Sequence, residues 1–433
     1  MNLPWPNIRE VYSPDTVDAV AQAIRAADAD NLAVYPLGGE TALADALVPR
    51  VAGVGISTKK LAAVVDYPAR DLTITVGAGI TISELLDVLA TEGQTLPVDI
   101  SLPHLATLGG AIATNTAGPR RVLYGTLRDY VIGIEAVDGA GRIYHGGGRV
   151  VKNVAGYDFC RLLVGSVGLL GIITQVTLKV QPLPQASGAC LWKLPPGVDL
   201  AAIFNLLHAS PTRPAVLDVV GGNAWSGFLQ SLGHAGHSVA TTSAGEEPWL
   251  ICGFEGTIPE VNWQLTTITQ QLYELLGAPH TPEKESWVRC LHALRDFAGG
   301  ISPGMAPGNL PTDLPMLTQP ILKFCVRPSQ AAELVRWIQG VDPAAHWQLH
   351  AANGILYVRF SALPSGGWSK WLLQQGHPHL GQLGGRLRVW RWSPGMELTQ
   401  ASAWGPRGDG QLIEGRMRAQ FDPRGRLNSG RFW

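Results

Sequence analysis

Apolar residues in the first 180 positions follow two periods, and each change of period marks the end of an element. Val17, Val20, Ala21 and Ile24 fall on one face at helical spacing, just after the helix-opening run Ser13-Pro14-Asp15. Leu32 to Tyr35 reads as a short strand, and Leu72 to Val76 as another apolar run. Thr81 and Glu84 make a capping box ahead of Ile82, Leu85, Leu86 and Leu89, with Gly93 as the stop. From Tyr130, VIGIEAVDGAGRIYHGGG reads as two strands joined across Asp138-Gly139-Ala140-Gly141, a hairpin signal. A short helix carrying Leu162, Leu163 and Val164 follows, then the glycine-spaced GSVGLLG of Gly165 to Gly171, then a β-branched run from Ile172 to Val180. Gln181-Pro182-Leu183-Pro184 ends this alternation and sets a domain boundary.

The second half is richer in Trp and Pro and gives fewer boundaries. Strand Trp249 to Phe254, a helix from Val261 to Leu276 closed by Gly277, strand Ile321 to Val326, a helix from Ser329 to Ile338, a hairpin with a type I′ turn at Asn353-Gly354 and strand Arg386 to Trp392 predict an antiparallel sheet with helices on one face. The proline- and glycine-rich stretch from Gly299 to Thr318 reads as a long surface loop.

Composition narrows the function classes. With 433 residues the chain is long enough for two domains, and a net charge of −1 argues against a nucleic-acid partner. Only 15% of residues are charged while 46% are hydrophobic, which suits either burial against partner subunits or a lightly charged monomer. Cys160, Cys190, Cys252, Cys290 and Cys325 lie far apart without CxxC or Cys/His spacing, so no iron–sulfur or zinc site is expected, and His234 and His237 lack acidic or cysteine companions for a metal. MNLPWPNIRE does not read as a secretory leader and no run of about 18 apolar residues occurs, so a cytoplasmic chain is expected, able to dock on the inner face of a membrane through partners.

The candidate chemistry lies in glycine. ATLGGAIATNTAG, Ala106 to Gly118, suits a backbone cradle for a pyrophosphate: Gly109 and Gly110 remove Cβ atoms from the path of an anion, and Thr107, Thr114 and Asn115 add polar side chains. A Gly-Gly pair can equally be backbone punctuation. Two more glycine sites, PLGGET at Pro36 to Thr41 and the pair Gly77 and Gly79, also follow apolar runs, so three strand-then-glycine junctions precede residue 120.

In order, PLGGET, VGAGIT, ATLGGAIATNTAGPRR, LYGTLRDYVIGIEAVDGAGRI and GGRVVKNVAGYDFCRLLVGSVGLLGIITQVTLKV resemble the FAD-binding domain of the vanillyl-alcohol oxidase and p-cresol methylhydroxylase type over roughly the first 185 residues. Within that superfamily GPRR (Gly118 to Arg121) and VKNVAGYD (Val151 to Asp158) look most like the FAD-binding E subunit of bacterial glycolate oxidase, and the tail FDPRGRLNSGRF resembles the common closing FDP-x-G-x-x-NPGR.

The resemblance implies an α+β fold: a two-subdomain FAD-binding domain over 1–185 whose smaller part ends near Pro49, an antiparallel-sheet cap domain over 186–400, and a tail, 401–433, packing back on the FAD domain. It implies FAD, with Gly38 and Gly39 on one side of the pyrophosphate and Thr107, Gly109, Gly110, Asn115 and Gly118 on the other, and with Tyr124, Gly125, Asp129, Gly171 and Ile173 lining the rest. Arg120 and Arg121 suit bidentate contacts to a phosphate or carboxylate, or a solvated surface. Leu37 and Glu40 depart from the usual RGGGT, and Glu40 would have to point away from an anion or meet Arg120 or Arg121. No histidine stands in that loop, so the flavin is expected to be non-covalent.

Oxidation of a 2-hydroxy acid needs a base for the hydroxyl proton, and His350 in WQLHAANG is the candidate, a structural histidine being the alternative. HAANG is at best an eroded form of the HGDGNxH-like metal motif of catalytic relatives, so no metal is expected. Lys152, Asn153, Tyr157 and Asp158 form a polar cluster that helix capping would explain. The function expected is that of an FAD-binding subunit oxidising glycolate, or D-lactate, beside a catalytic flavoprotein and an iron–sulfur subunit. The alternatives are a scaffold subunit with little or no FAD and a stand-alone D-2-hydroxy acid dehydrogenase.

Overall fold

The computed structural model describes residues 7–45, 47–49, 51–148, 156–232, 247–301, 320–393, 396–406, 408 and 410–432. Lys152, Asn153, His234, His237 and the Gly299–Thr318 loop beyond Ile301 lie outside the described residues.

The chain divides into two compact units, one made of 1–117, 125–183 and 407–433, the other of 118–124 and 184–406. The first unit opens with strands β1 (Ile8–Tyr12), β2 (Ala33–Leu37) and β3 (Gly53–Ser57), a parallel sheet in the order β1-β3-β2. Helix α1 (Val17–Ala29), capped by the Thr16 side chain, makes the crossover that parallel pairing requires and buries Val20, Ala21 and Ile24 against Val34, Val54 and Ile56. This sheet extends through Ser57, because β3 is the central strand on which β1 and β2 pair.

A second sheet of the same unit holds β4 (Val64–Asp66), β5 (Thr73–Gly77), β7 (Val131–Val137), β8 (Ile143–Gly147) and β9 (Ile172–Lys179) in the order β4-β5-β9-β7-β8, all antiparallel. The small pair β6 (Gln94–Thr95) with β10 (Gln181–Pro182) stands apart. Helices α2 (Ile82–Ala90), with the Thr81/Glu84 capping box in place, and α3 (Leu108–Thr114) bury Leu85, Leu89, Leu108 and Ile112 with Ile74, Ile134, Val176 and Leu178. Asp158 caps the short helix α5 (Phe159–Leu163), its carboxylate accepting from the Arg161 amide at 2.9 Å.

The second unit, which takes in α4 (Arg121–Tyr124), is built on a seven-stranded antiparallel sheet. Its order is β11 (Ala186–Lys193), β13 (Trp249–Gly256), β12 (Val216–Gly221), β15 (His346–His350), β16 (Ile355–Arg359), β14 (Ile321–Cys325), β17 (Arg386–Arg391). The α+β class expected holds, but the single helical face does not. Strands β12 and β16 are buried along their whole length, and successive side chains point to opposite faces, so both faces need cover. Helix α8 (Ile258–Leu276) packs on the Gly188 and Cys190 side, with Cys190 Sγ 3.5 Å from Thr269 Oγ1. Helix α9 (Lys284–Phe297) covers the other face, its Trp287 Nε1 donating to Ser187 Oγ at 2.7 Å. Trp225 of α7 (Asn223–Leu232), which follows α6 (Leu200–Ala209), joins that second layer, and α10 (Ala331–Val341) follows β14. Among the described residues no helix is long and apolar enough to cross a membrane.

Candidate functional site

In the first unit the two glycine loops are fitted to each other. Thr107, at the head of α3, uses its Oγ1 to accept the Gly39 N–H at 3.1 Å. A Cβ on Gly39 would stand 1.8 Å from the Leu105 carbonyl oxygen, and one on Gly38 would stand 2.3 Å from Thr107 Oγ1. Gly109 serves a similar end: its N–H donates to the Ala78 carbonyl at 2.8 Å, and a Cβ there would meet Ala78 Cβ at 2.8 Å. The Gly109 amide, read from sequence as reaching an anion, is thus bonded to the turn after β5. Gly110 differs, since a Cβ on it would meet Thr107 Oγ1 at 3.2 Å and nothing else within 4 Å.

Asn115 ends α3 in the left-handed region, at φ 51°. The loop Gly165–Gly168 is tied to that end of the helix: Gly165 N–H donates to the Ile112 carbonyl at 2.9 Å and Val167 N–H to the Ala113 carbonyl at 2.8 Å. Asn115 Oδ1 and Ser166 Oγ are both buried there without a hydrogen-bond partner. Buried polar atoms are almost always satisfied, so these two stand out beside a glycine-lined helix. Sequence reasoning missed Ser166, which stands between glycines as an ordinary turn residue. Thr114 bonds back to the Gly110 carbonyl at 3.0 Å and to Thr116 at 2.7 Å.

Gly125 and Asp129 form a local turn next to α3, in which the Asp129 carboxylate accepts the Thr126 N–H at 2.8 Å. Gly171 lies just ahead of β9, against the Val137 carbonyl, and Ile173 is buried in the sheet's core. Glu40 takes φ 64° and pairs with Lys59 at 2.7 Å. Its partner is a lysine just after β3.

Gly118, Arg120 and Tyr124 belong with the second unit. Glu255, a buried carboxylate at the end of β13, accepts from Arg120 Nη1 at 3.2 Å and from the Tyr124 hydroxyl at 2.9 Å. Arg120 is therefore paired with a protein carboxylate. Glu255 carries no signal in the sequence because its partners lie 131 and 135 residues away.

His350 is 3% exposed and sits opposite Asp218, its register partner on β12. Nδ1 lies 2.8 Å from Asp218 Oδ1, and Gln348 Nε2 donates to Asp218 Oδ2 at 2.7 Å. The Tyr357 ring lies edge-on at 5.8 Å, and Lys323 Nζ stands over Tyr357 and Trp390 at 5.2 and 4.4 Å. The type I′ turn read at Asn353-Gly354 is replaced by a 3₁₀ turn, Ala351–Asn353, with only Gly354 left-handed at φ 62°. Among the described residues no three His, Cys, Asp or Glu side chains converge as a metal-binding group.

Residues 8–147 match the family described as FAD binding domain, so the chain carries an FAD-binding domain. The chain is 34% identical over 204 residues to the D-2-hydroxyglutarate dehydrogenase of Xanthomonas citri pv. viticola, which covers 47% of this chain and 43% of that one. Over 127 residues it is 44% identical to the glycolate oxidase subunit GlcE of Escherichia coli, covering 29% of this chain and 36% of the other. The chain thus spans less than half the length of these relatives. An alkyldihydroxyacetonephosphate synthase structure aligns with 97% of the chain and 75% of its own at TM-score 0.65 and 17% identity, which establishes the shared fold.

The residues present fit FAD. The bare α-carbon of Gly110 and the orphaned Asn115 Oδ1 and Ser166 Oγ lie inside or next to the matched segment, and the residues that would hold the cofactor are those of the Gly38–Gly39 and Thr107–Asn115 segments.

Proposed function

We propose that this chain is an FAD-dependent oxidoreductase subunit that acts on a small 2-hydroxy acid, glycolate first among them, in an assembly with a catalytic flavoprotein and an iron–sulfur partner. The observation that carries the reading is the cradle around α3, with its two orphaned polar atoms, placed in or beside a segment of FAD-binding type. The likeness to a protein named glycolate oxidase subunit supports the substrate class and the need for partners. Bound FAD supplies the acceptor for the two electrons lost by the alcohol carbon. In this reading His350 is the candidate base, with Asp218 Oδ1 2.8 Å from its Nδ1. The chain reaches a membrane only through its partners in this reading.

The scaffold reading is favoured by a different observation. Arg120 and Tyr124 are engaged by Glu255, and the Gly109 amide by Ala78, so these three groups already have protein partners. The full-length chain, supplemented with FAD, desalted and mixed with glycolate without oxygen, separates the cases. Flavin bands that bleach only after the catalytic and iron–sulfur partners are added support the subunit. Bleaching by the chain alone marks a stand-alone dehydrogenase, and absence of bands marks the scaffold.

A further inference from the structure

The tail of the chain reaches both loops that border α3. After the helix Gln411–Phe421, Val34 N–H of β2 donates to the Arg426 carbonyl at 2.9 Å and Asn428 N–H returns to the Val34 carbonyl at 2.9 Å, so the tail is pinned to β2. From that anchor two side chains extend. Asn428 Nδ2 donates to the Val167 carbonyl at 2.7 Å, holding the Gly165–Gly168 loop that carries Ser166 and backs on Asn115. Arg431, 4% exposed, donates through Nη2 to the Leu43 carbonyl at 2.8 Å and through Nε to the Leu47 carbonyl at 3.4 Å, while Leu47 N–H donates to the Arg431 carbonyl at 3.2 Å. Those carbonyls belong to the segment that leaves the Gly38–Gly39 loop. Arg431 Nη1 also reaches Asn428 Oδ1 at 3.4 Å, which couples the two arms.

We infer that Asn428 and Arg431 are positioning residues for the FAD cradle, holding from one strap the loop that meets the start of α3 and the loop that meets its end. The inference rests on the FAD reading of that cradle. A guanidinium fork is suited to the task because it serves carbonyls in several fixed directions from spread nitrogens, whereas a lysine ammonium places its three donors on one compact centre at the end of a flexible stem. Burial lowers the Arg431 pKa to about 10, so the fork stays protonated at neutral pH. Asn428 itself takes φ 48°, a conformation that glycine adopts freely, so N428G removes the side chain without straining the backbone.

The test uses the full-length apoprotein with N428G and R431K, and reads FAD affinity by flavin fluorescence quenching alongside the unfolding midpoint of the apoprotein. Each variant is expected to raise the FAD Kd on the order of tenfold, the scale of one lost hydrogen-bonded tie, while the apoprotein still folds. A control in the other unit, Leu294→Ala in the buried face of α9, is expected to lower the midpoint and leave Kd within twofold. Variants that lower the midpoint with Kd within twofold of wild type would show the strap to be structural only and overturn the inference. If R431K does not fold, N428G decides alone. A wild-type chain that fails to bind FAD overturns the flavin reading, and the positioning role falls with it.

Discussion

Gly39→Ala probes the fit between the two glycine loops. Gly39 is outside the left-handed region, so its backbone accepts alanine and the obstacle is steric. The new Cβ would lie 1.8 Å from the Leu105 carbonyl oxygen and 2.7 Å from its carbon. An ordinary C···O contact is ~3.3 Å, so the loops must part by roughly 1.5 Å. Backbone on both sides makes that expensive: overpacking of this kind costs about 1–3 kcal/mol. Parting the loops also breaks the Gly39 to Thr107 hydrogen bond, worth about 1 kcal/mol more. The sum, about 2–4 kcal/mol, falls on the closed cradle, so FAD affinity is expected to fall by a factor of about 30 to several hundred. Flavin fluorescence titration of the apoprotein measures it, with thermal unfolding in parallel. Gly415→Ala is the control: it lies within the helix Gln411–Phe421 with nothing near its Cβ position, and alanine there is expected to stabilise by about 0.5–1 kcal/mol without changing FAD affinity. A Gly39→Ala protein with wild-type midpoint and wild-type affinity would refute the argument from close approach.

Three further outcomes follow from the same geometry. Asp218→Ala leaves His350 and Gln348 buried without their shared acceptor and is expected to cost about 3 kcal/mol in urea unfolding, whereas Asp218→Asn, which keeps the shape, costs less. The Glu84 carboxyl is held below its ordinary pKa, chiefly by the Thr81 backbone N–H and then by its hydroxyl. A lowered folded-state pKa stabilises above the unfolded value and is lost as pH falls through the folded one. Glu84→Gln is therefore expected to flatten the acid limb of stability between neutral pH and the region below the ordinary carboxylate range, as read from unfolding midpoints across pH. Burial raises the thiol pKa of Cys160, to about 11, and of Cys190, Cys252 and Cys290, while Cys325 is only half-buried. A disulfide exchange reagent at pH 8 is expected to label Cys325 ahead of the other four, and rapid modification of Cys290 in native protein would contradict the packing around α9.

Elements encoded in local pattern are legible in the amino-acid sequence alone. The Thr81/Glu84 box, the hairpin across Asp138–Gly141 and the Gly277 stop of α8 all depend on residues within a few positions of one another. Strands β11 and β12 escape such a reading, because ASGACLWK and VLDVVG are short apolar runs that suit a helix segment as well as a strand. The polar centre of the larger sheet is hidden for another reason. Asp218 sits inside an apolar run, and nothing local says that His350 will lie opposite it 132 positions later. Glu255 and Arg120 are related in the same way. At the cradle, sequence marks the glycines but not their duties: Gly38, Gly39 and Gly109 are needed where one backbone approaches another, while the orphaned Ser166 stands in a turn that carries no chemical signal.

The central claim is that the unit built around α3 holds FAD without a covalent bond. The full-length chain, incubated with FAD, desalted and scanned in the visible range before and after acid precipitation, tests it directly. Flavin bands near one equivalent that pass into the supernatant on precipitation are the expected result. A colourless desalted protein, or colour that stays with the pellet, would contradict it.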